Sequence, residues 1–189
     1  MLEKMIKDEE LREKCQRSLL EKRILFLADY IEENMIAELR VLLLALANQS
    51  TEEVTLYIDS TGGDGLAGEF LSDLIRTCGV PVKGIVNGKC ESAAIPILQA
   101  CHKRLATKNS LFLLHRGHFG RDLPGGNEKE IREAGQQIIE NMIKSWKKRV
   151  TELSERTGRT FEAIEEKKRQ EKDMSAEEAK EFGLIDEVI

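Results

Sequence analysis

The sequence predicts an α/β fold: a mostly parallel sheet of repeated β-α units, followed by one long helix. Three observations carry this expectation. Short apolar strands alternate with helical patterns at close spacing over residues 23–115. Glycine-bearing turns follow two of those strands. An amphipathic stretch over residues 127–156 is the longest helix candidate in the chain.

Taken in order, residues 1–22 form a charged arm with Leu2, Met5, Ile6, Leu11, Cys15, Leu19 and Leu20 at near-helical spacing. That pattern suits a marginal amphipathic helix that orders against something else. "RILFLADY" reads as a short buried strand. "NMIAELRVLLLALANQS" carries apolar residues on nearly every face, the pattern of a helix packed on both sides. "EEVTLYIDS" is a second strand, ending in the glycine turn "STGGDGLAG". Leu66, Phe70, Leu71, Leu74 and Ile75 then share a helical face, and Gly79 and Pro81 supply stop signals. "VPVKGIV" is a third strand, and "KRLATKNSLFLLH" holds two more around a Lys-Asn turn.

"FGRDLPGGNE" is a loop. The long helix follows, with Ile131, Ala134, Ile138, Met142, Trp146, Val150 and Leu153 stepping by three or four. Gly158 stops it, and Thr160 can cap a short helix bearing Phe161 and Ile164. "MSAEEAKEFGLIDEVI" opens with a capping box, Ser175 with Glu178, before Gly183 and a closing strand. We therefore expect an arm over 1–22 and a single domain over 23–189.

Composition narrows the function. A chain of 189 residues is long enough to bury a sizeable core. A net charge of −5 gives no basic footprint, so nucleic acid is not an expected partner. No apolar run approaches the roughly 20 residues of a membrane span. The start "MLEKMIKDEELREK" is charged and does not read as a signal peptide. Cys15, Cys78, Cys90 and Cys101 lack zinc or redox spacing, which suits free thiols in a reducing cytoplasm.

Chemistry concentrates at two strand ends. In open parallel sheets ligands bind at the carboxyl ends of strands, and "IDSTGGDGLAG" and "VNGKCESAA" are both such ends. Paired glycines let backbone N–H groups approach an anion. No Gly-Lys-Ser/Thr follows, so the turn is not a P-loop, nor does it reproduce the dinucleotide fingerprint. Ser92 sits at a strand-to-helix turn, where a side chain can stand clear as a nucleophile or simply cap the helix that follows. His115 closes "LFLLH" and has the chemistry of a general base, or of a satisfied surface histidine. His102 and His118 lack further ligands at metal spacing, so no metal is expected.

The order of these pieces resembles the Clp-type proteolytic subunits, serine peptidases of the caseinolytic family. The likeness runs from about Arg23 to Ile189. "LYIDSTGG" is similar to the family's "LYINSPGG", "NSLFLLHRG" to its "NSRIMIHQP", and "MSAEEAKEFGLIDEVI" to its C-terminal segment almost letter for letter. The family's "GMAASMGA" stands here as "GKCESAAI", with Lys89 and Glu91 beside the serine.

The resemblance implies a ClpP/crotonase-type fold of repeated β-α units, with a protruding long helix and strand-loop at about 116–156 as its handle. It places the nucleophile on Ser92, the base on His115 and the third triad member on Glu171, with Asp173 as the alternative. It places the oxyanion donors on the backbone N–H groups of Gly63 and Ala93. Serine hydrolases of other folds use Glu in that third place. The implied activity is a cytoplasmic serine endopeptidase that cleaves unfolded polypeptides or peptides, needs no cofactor, and assembles as a homo-oligomer of heptameric rings stacked in pairs. ATP would be used only by a hexameric Clp ATPase partner. Two other readings remain at this point: a catalytically silent ring subunit, and a crotonase-type acyl-CoA enzyme binding CoA at "STGGDG" without need of Ser92 or His115.

Overall fold

The structure, a computed structural model, describes residues 9–117 and 125–189. Leu2, Met5 and Ile6 of the arm, His118, and most of the "GHFGRDLPGGN" loop lie outside the described residues. The chain divides into two compact units. One runs to Leu113 and resumes over Asp173–Ile189; the other is Leu114–Lys172.

The first unit holds the sheet. Its elements are α1 (Glu9–Glu21), β1 (Ile24–Ile31), α2 (Glu33–Gln49), β2 (Val54–Gly63), α3 (Gly65–Thr77), β3 (Val82–Glu91), α4 (Ala94–Ala100), β4 (Lys103–Ala106), β5 (Leu111–Leu113), β6 (Met174–Ser175), α7 (Ala176–Phe182) and β7 (Glu187–Val188). α5 (Glu128–Thr157) and α6 (Phe161–Gln170) belong to the second unit.

The strand order is β1-β2-β3-β4-β7, parallel throughout. β3 changes neighbour along its length. Its first half pairs with β4 and its second half with β5, also in parallel. β6 adds an antiparallel pair on β5. Leu27, Ile31, Ile58, Val86 and Phe112 from the strands and Ile36, Leu43, Leu71, Ile75, Ile97 and Leu98 from the helices are almost fully buried. Their side chains form the core of this unit.

One expectation is corrected. α2 is not packed on both sides: only Ile36, Leu39, Leu43 and Leu46 are buried, while Val41 is 66% and Leu44 50% exposed. A single helix layer on a sheet touches one stripe, and these four positions, three or four apart, are that stripe.

Two buried arginines tie irregular backbone to the sheet. Arg23 donates to the carbonyls of Leu46, Ser50, Glu52 and Glu53, satisfying groups at and beyond the end of α2. Arg104 grips Asp186 and donates to Gln99 Oε1 and the Gly183 carbonyl, which fastens the C-terminal segment beside β4.

In the second unit, Asn127 and Glu130 form a capping box at the start of α5, and Gly158 ends it at φ 70°. Thr160 accepts from Ala163 N at the start of α6. Trp146 meets Phe161 edge-on, with ring centroids 5.3 Å apart, and donates to Glu165. In the first unit the Ser175–Glu178 capping box forms as expected, and Gly183 closes α7 at φ 91°. No helix among the described residues is long and apolar enough to cross a membrane.

Candidate active site

Two backbone turns meet at the carboxyl end of the sheet. β2 continues as a strand through Gly63, further than "EEVTLYIDS", and Asp64 caps α3 by accepting from Leu66 N and Ala67 N. Ser60 fixes the approach. Its hydroxyl donates to the Asp29 carbonyl and accepts from Gly62 N. Gly62 has φ 85° and Gly63 φ 148°, conformations that L side chains rarely adopt.

β3 ends at Glu91, and Ser92 follows at φ 52°. Its N–H donates to the Leu113 carbonyl at 3.0 Å, and its own carbonyl accepts from Ile95 N. The reading of Ser92 as a helix cap is corrected: Ala93 is the N-cap of α4, and no side chain caps that helix. Pro96 sits in the first turn, where a missing N–H costs nothing. Within its unit the Ser92 hydroxyl has no hydrogen-bond partner among the described residues. A serine held in the left-handed region at a strand-to-helix turn has the geometry by which other folds present a nucleophile. The charges beside it are paired, Lys89 with Glu91 at 3.3 Å.

The glycine that faces this turn most closely is Gly62, which the sequence reading did not single out. A Cβ there would lie 2.7 Å from Ser92 Cβ and 2.9 Å from Ala93 N. The two backbones approach closely only because residue 62 has no side chain. Gly63 and Ala93 therefore stand at the same end of the sheet as Ser92.

The second unit carries the other two candidates. His115 Nδ1 lies 2.9 Å from the Arg116 carbonyl. A carbonyl only accepts, so Nδ1 carries the proton and Nε2 of the neutral ring is the free base. Glu171 is the C-cap of α6 at φ 47°, and its carboxylate accepts from Arg116 Nε at 3.4 Å. Arg116, which sequence reasoning passed over, thus contacts both: His115 through its carbonyl, Glu171 through its guanidinium. Asp173 is exposed, at the edge of the first unit just before β6. His102 has a structural role, with Nδ1 accepting from Val82 N. No group of three or more metal-ligating side chains occurs among the described residues.

The chain thus builds a parallel-rich α/β sheet in which the glycine pair ending β2 lies against the strained serine that follows β3. A family model described as Clp protease matches residues 7–189, and the chain belongs to that family. Among solved structures it is similar to a mutant ClpP1 from Listeria monocytogenes. The two are 26% identical and superpose with a TM-score of 0.77, over 93% of this chain and 95% of that one. The fold is that of ClpP, and the chain is a divergent Clp protease-type subunit.

Proposed function

We propose that the chain is a serine endopeptidase subunit of a self-compartmentalising ring protease. The observation that carries this reading is Ser92, held at φ 52° beside Gly62 in a chain of the Clp protease family. In this mechanism His115 Nε2 takes the Ser92 proton as Oγ attacks a peptide carbonyl, then returns it to the leaving amine. The N–H groups of Gly63 and Ala93 receive the developing oxyanion. By analogy with measured oxyanion holes, each donor contributes about 3 kcal/mol to lowering the barrier. Glu171 stabilises the imidazolium, with Asp173 as the alternative third member. Water then releases the acyl group from Ser92 by the same steps in reverse roles.

Heptameric rings, stacked in pairs, would enclose these sites, with a hexameric Clp ATPase as partner and the cytoplasm as location. Family membership supports oligomeric assembly, and the exposed Ile139 and Ile143 on α5 supply apolar surface suited to it. A second reading, a catalytically silent ring subunit, draws on the pairing of Glu171 with Arg116 in place of His115.

Hydrolysis of fluorogenic peptides by the assembled protein distinguishes the two. Activity that disappears in both Ser92→Ala and His115→Ala supports the peptidase. A ring, sized by light scattering, that leaves every peptide intact supports the silent subunit. A monomer at micromolar concentration contradicts both.

A further inference from the structure

β2 and β3 do not run in one register. Ile58 pairs with Val86, but Ser60 pairs with Cys90, so Asn87, Gly88 and Lys89 stand opposite Asp59 alone. β3 therefore carries two extra residues at this point, about 6.6 Å of strand at ~3.3 Å per residue. The same segment is where β3 leaves β4 and takes up β5. A shift of two keeps the alternation of faces but moves everything beyond it along β2. With the shift, Gly62 faces Ser92. Without it, the residue opposite Gly62 would be Cys90.

Asp59 holds this bulge closed. The Lys89 N–H donates to Asp59 Oδ1 at 2.8 Å. A Cβ on Gly88 would fall on the Asp59 carboxylate, which supplies the three nearest atoms to that point. The carboxylate thus occupies space that only a glycine leaves open, and it meets an amide that the bulge takes out of the β2–β3 ladder.

We infer that Asp59 is a positioning residue: by pinning the Asn87–Lys89 bulge it sets the register that brings Ser92 against Gly62. This rests on the reading of Ser92 as nucleophile. Asp59 touches no reacting atom and acts through the β3 backbone. The requirement is for an acceptor at this point in space, so Asn at 59 satisfies it, and Leu, of similar size, does not.

The test measures two quantities on the full-length protein, well below its melting temperature. One is the second-order rate of fluorophosphonate acylation at Ser92; the other is amide hydrogen exchange at Lys89. Asp59→Asn should acylate within about threefold of wild type, and Asp59→Ala and Asp59→Leu about 10- to 100-fold more slowly. In the slow variants Lys89 should lose protection while Leu56 and Tyr57 on β2 keep it. Gly88→Ala should slow acylation in the wild-type background and have little further effect in Asp59→Ala, because the atoms it displaces are gone.

Wild-type rates in Asp59→Leu, or exposure of the Lys89 amide with no change in rate, would overturn the proposal. So would additive effects of Gly88→Ala and Asp59→Ala. If wild type itself is not acylated at Ser92, the nucleophile reading fails, and exchange at Lys89 then decides the bulge. Lost protection in Asp59→Leu leaves the pin standing, and retained protection removes it as well.

Discussion

A methyl group on Gly62 would lie 2.7 Å from Ser92 Cβ, closer than carbon atoms pack. Gly62 also has φ 85°, a conformation that costs an L residue roughly 1–2 kcal/mol. Gly62→Ala should therefore lower stability by about 2 kcal/mol or more, once strain and displacement are combined. It should also reduce peptide hydrolysis by about a hundredfold, because the serine must move to make room. Denaturant melts and initial rates on the same preparation check both. A variant with wild-type stability and rate would show that the two turns yield without consequence.

The left-handed backbone of Ser92 has a measurable signature of its own. Ser92→Ala keeps the strain; Ser92→Gly removes it at the cost of a more flexible unfolded chain. Setting roughly 1–2 kcal/mol of relief against about 0.4–1 kcal/mol of added unfolded-state freedom leaves the glycine variant the more stable, by about 0.8 kcal/mol at the middle of the two ranges. Urea midpoints at constant m-value give the comparison. An alanine variant equal to or more stable than the glycine variant contradicts a strained turn.

Glu171 and Asp173 separate by activity and not by stability. The Arg116–Glu171 pair is an exposed one, with side chains 66% and 48% accessible, so losing it changes stability by less than about 1 kcal/mol. Glu171→Gln should nonetheless cripple turnover, while Asp173→Asn leaves it near wild type. The reverse pattern in steady-state rates transfers the third triad role to Asp173.

Cys90 lies two residues before the serine, completely buried on β3. Burial pushes its thiol well above the usual thiol range, with Cys101 and Glu91 adding in the same direction. A pKa raised in the folded state gives stability that is fully present below the unfolded thiol's pKa. That stability is lost as pH rises from there through the folded value, because the unfolded thiol ionises first. Wild-type stability should fall more steeply than that of Cys90→Ala between pH 8 and pH 10. Iodoacetamide should alkylate the exposed Cys15 well before Cys90. Equal pH slopes, or early alkylation of Cys90, would contradict this.

The parts of the fold that were legible in the sequence are those written in local chemistry. Ser175 with Glu178, Thr160, Gly158 and Gly183 mark helix ends by side-chain capping or positive φ, and each does so in the structure. The strand–helix alternation followed from periodicity. What escaped depends on the sheet as a whole. A register shift opposite Asp59 is a relation between two strands, and neither strand announces it. The burial of α2 on one stripe depends on what the sheet covers, not on how apolar the helix is. At the site, Ser92 and the glycine pair were visible as strand-end residues. The closer approach of Gly62, and the engagement of Glu171 by Arg116, arise only from three-dimensional placement.

The proposed mechanism stands on Ser92 as a nucleophile activated by His115. The most direct measurement is to treat the protein with a fluorophosphonate and locate the adduct by peptide mass spectrometry. One adduct is expected, on Ser92, with labelling abolished in His115→Ala and retained in Asp173→Asn. An assembled ring that takes up no label, or takes it up equally without His115, would contradict it.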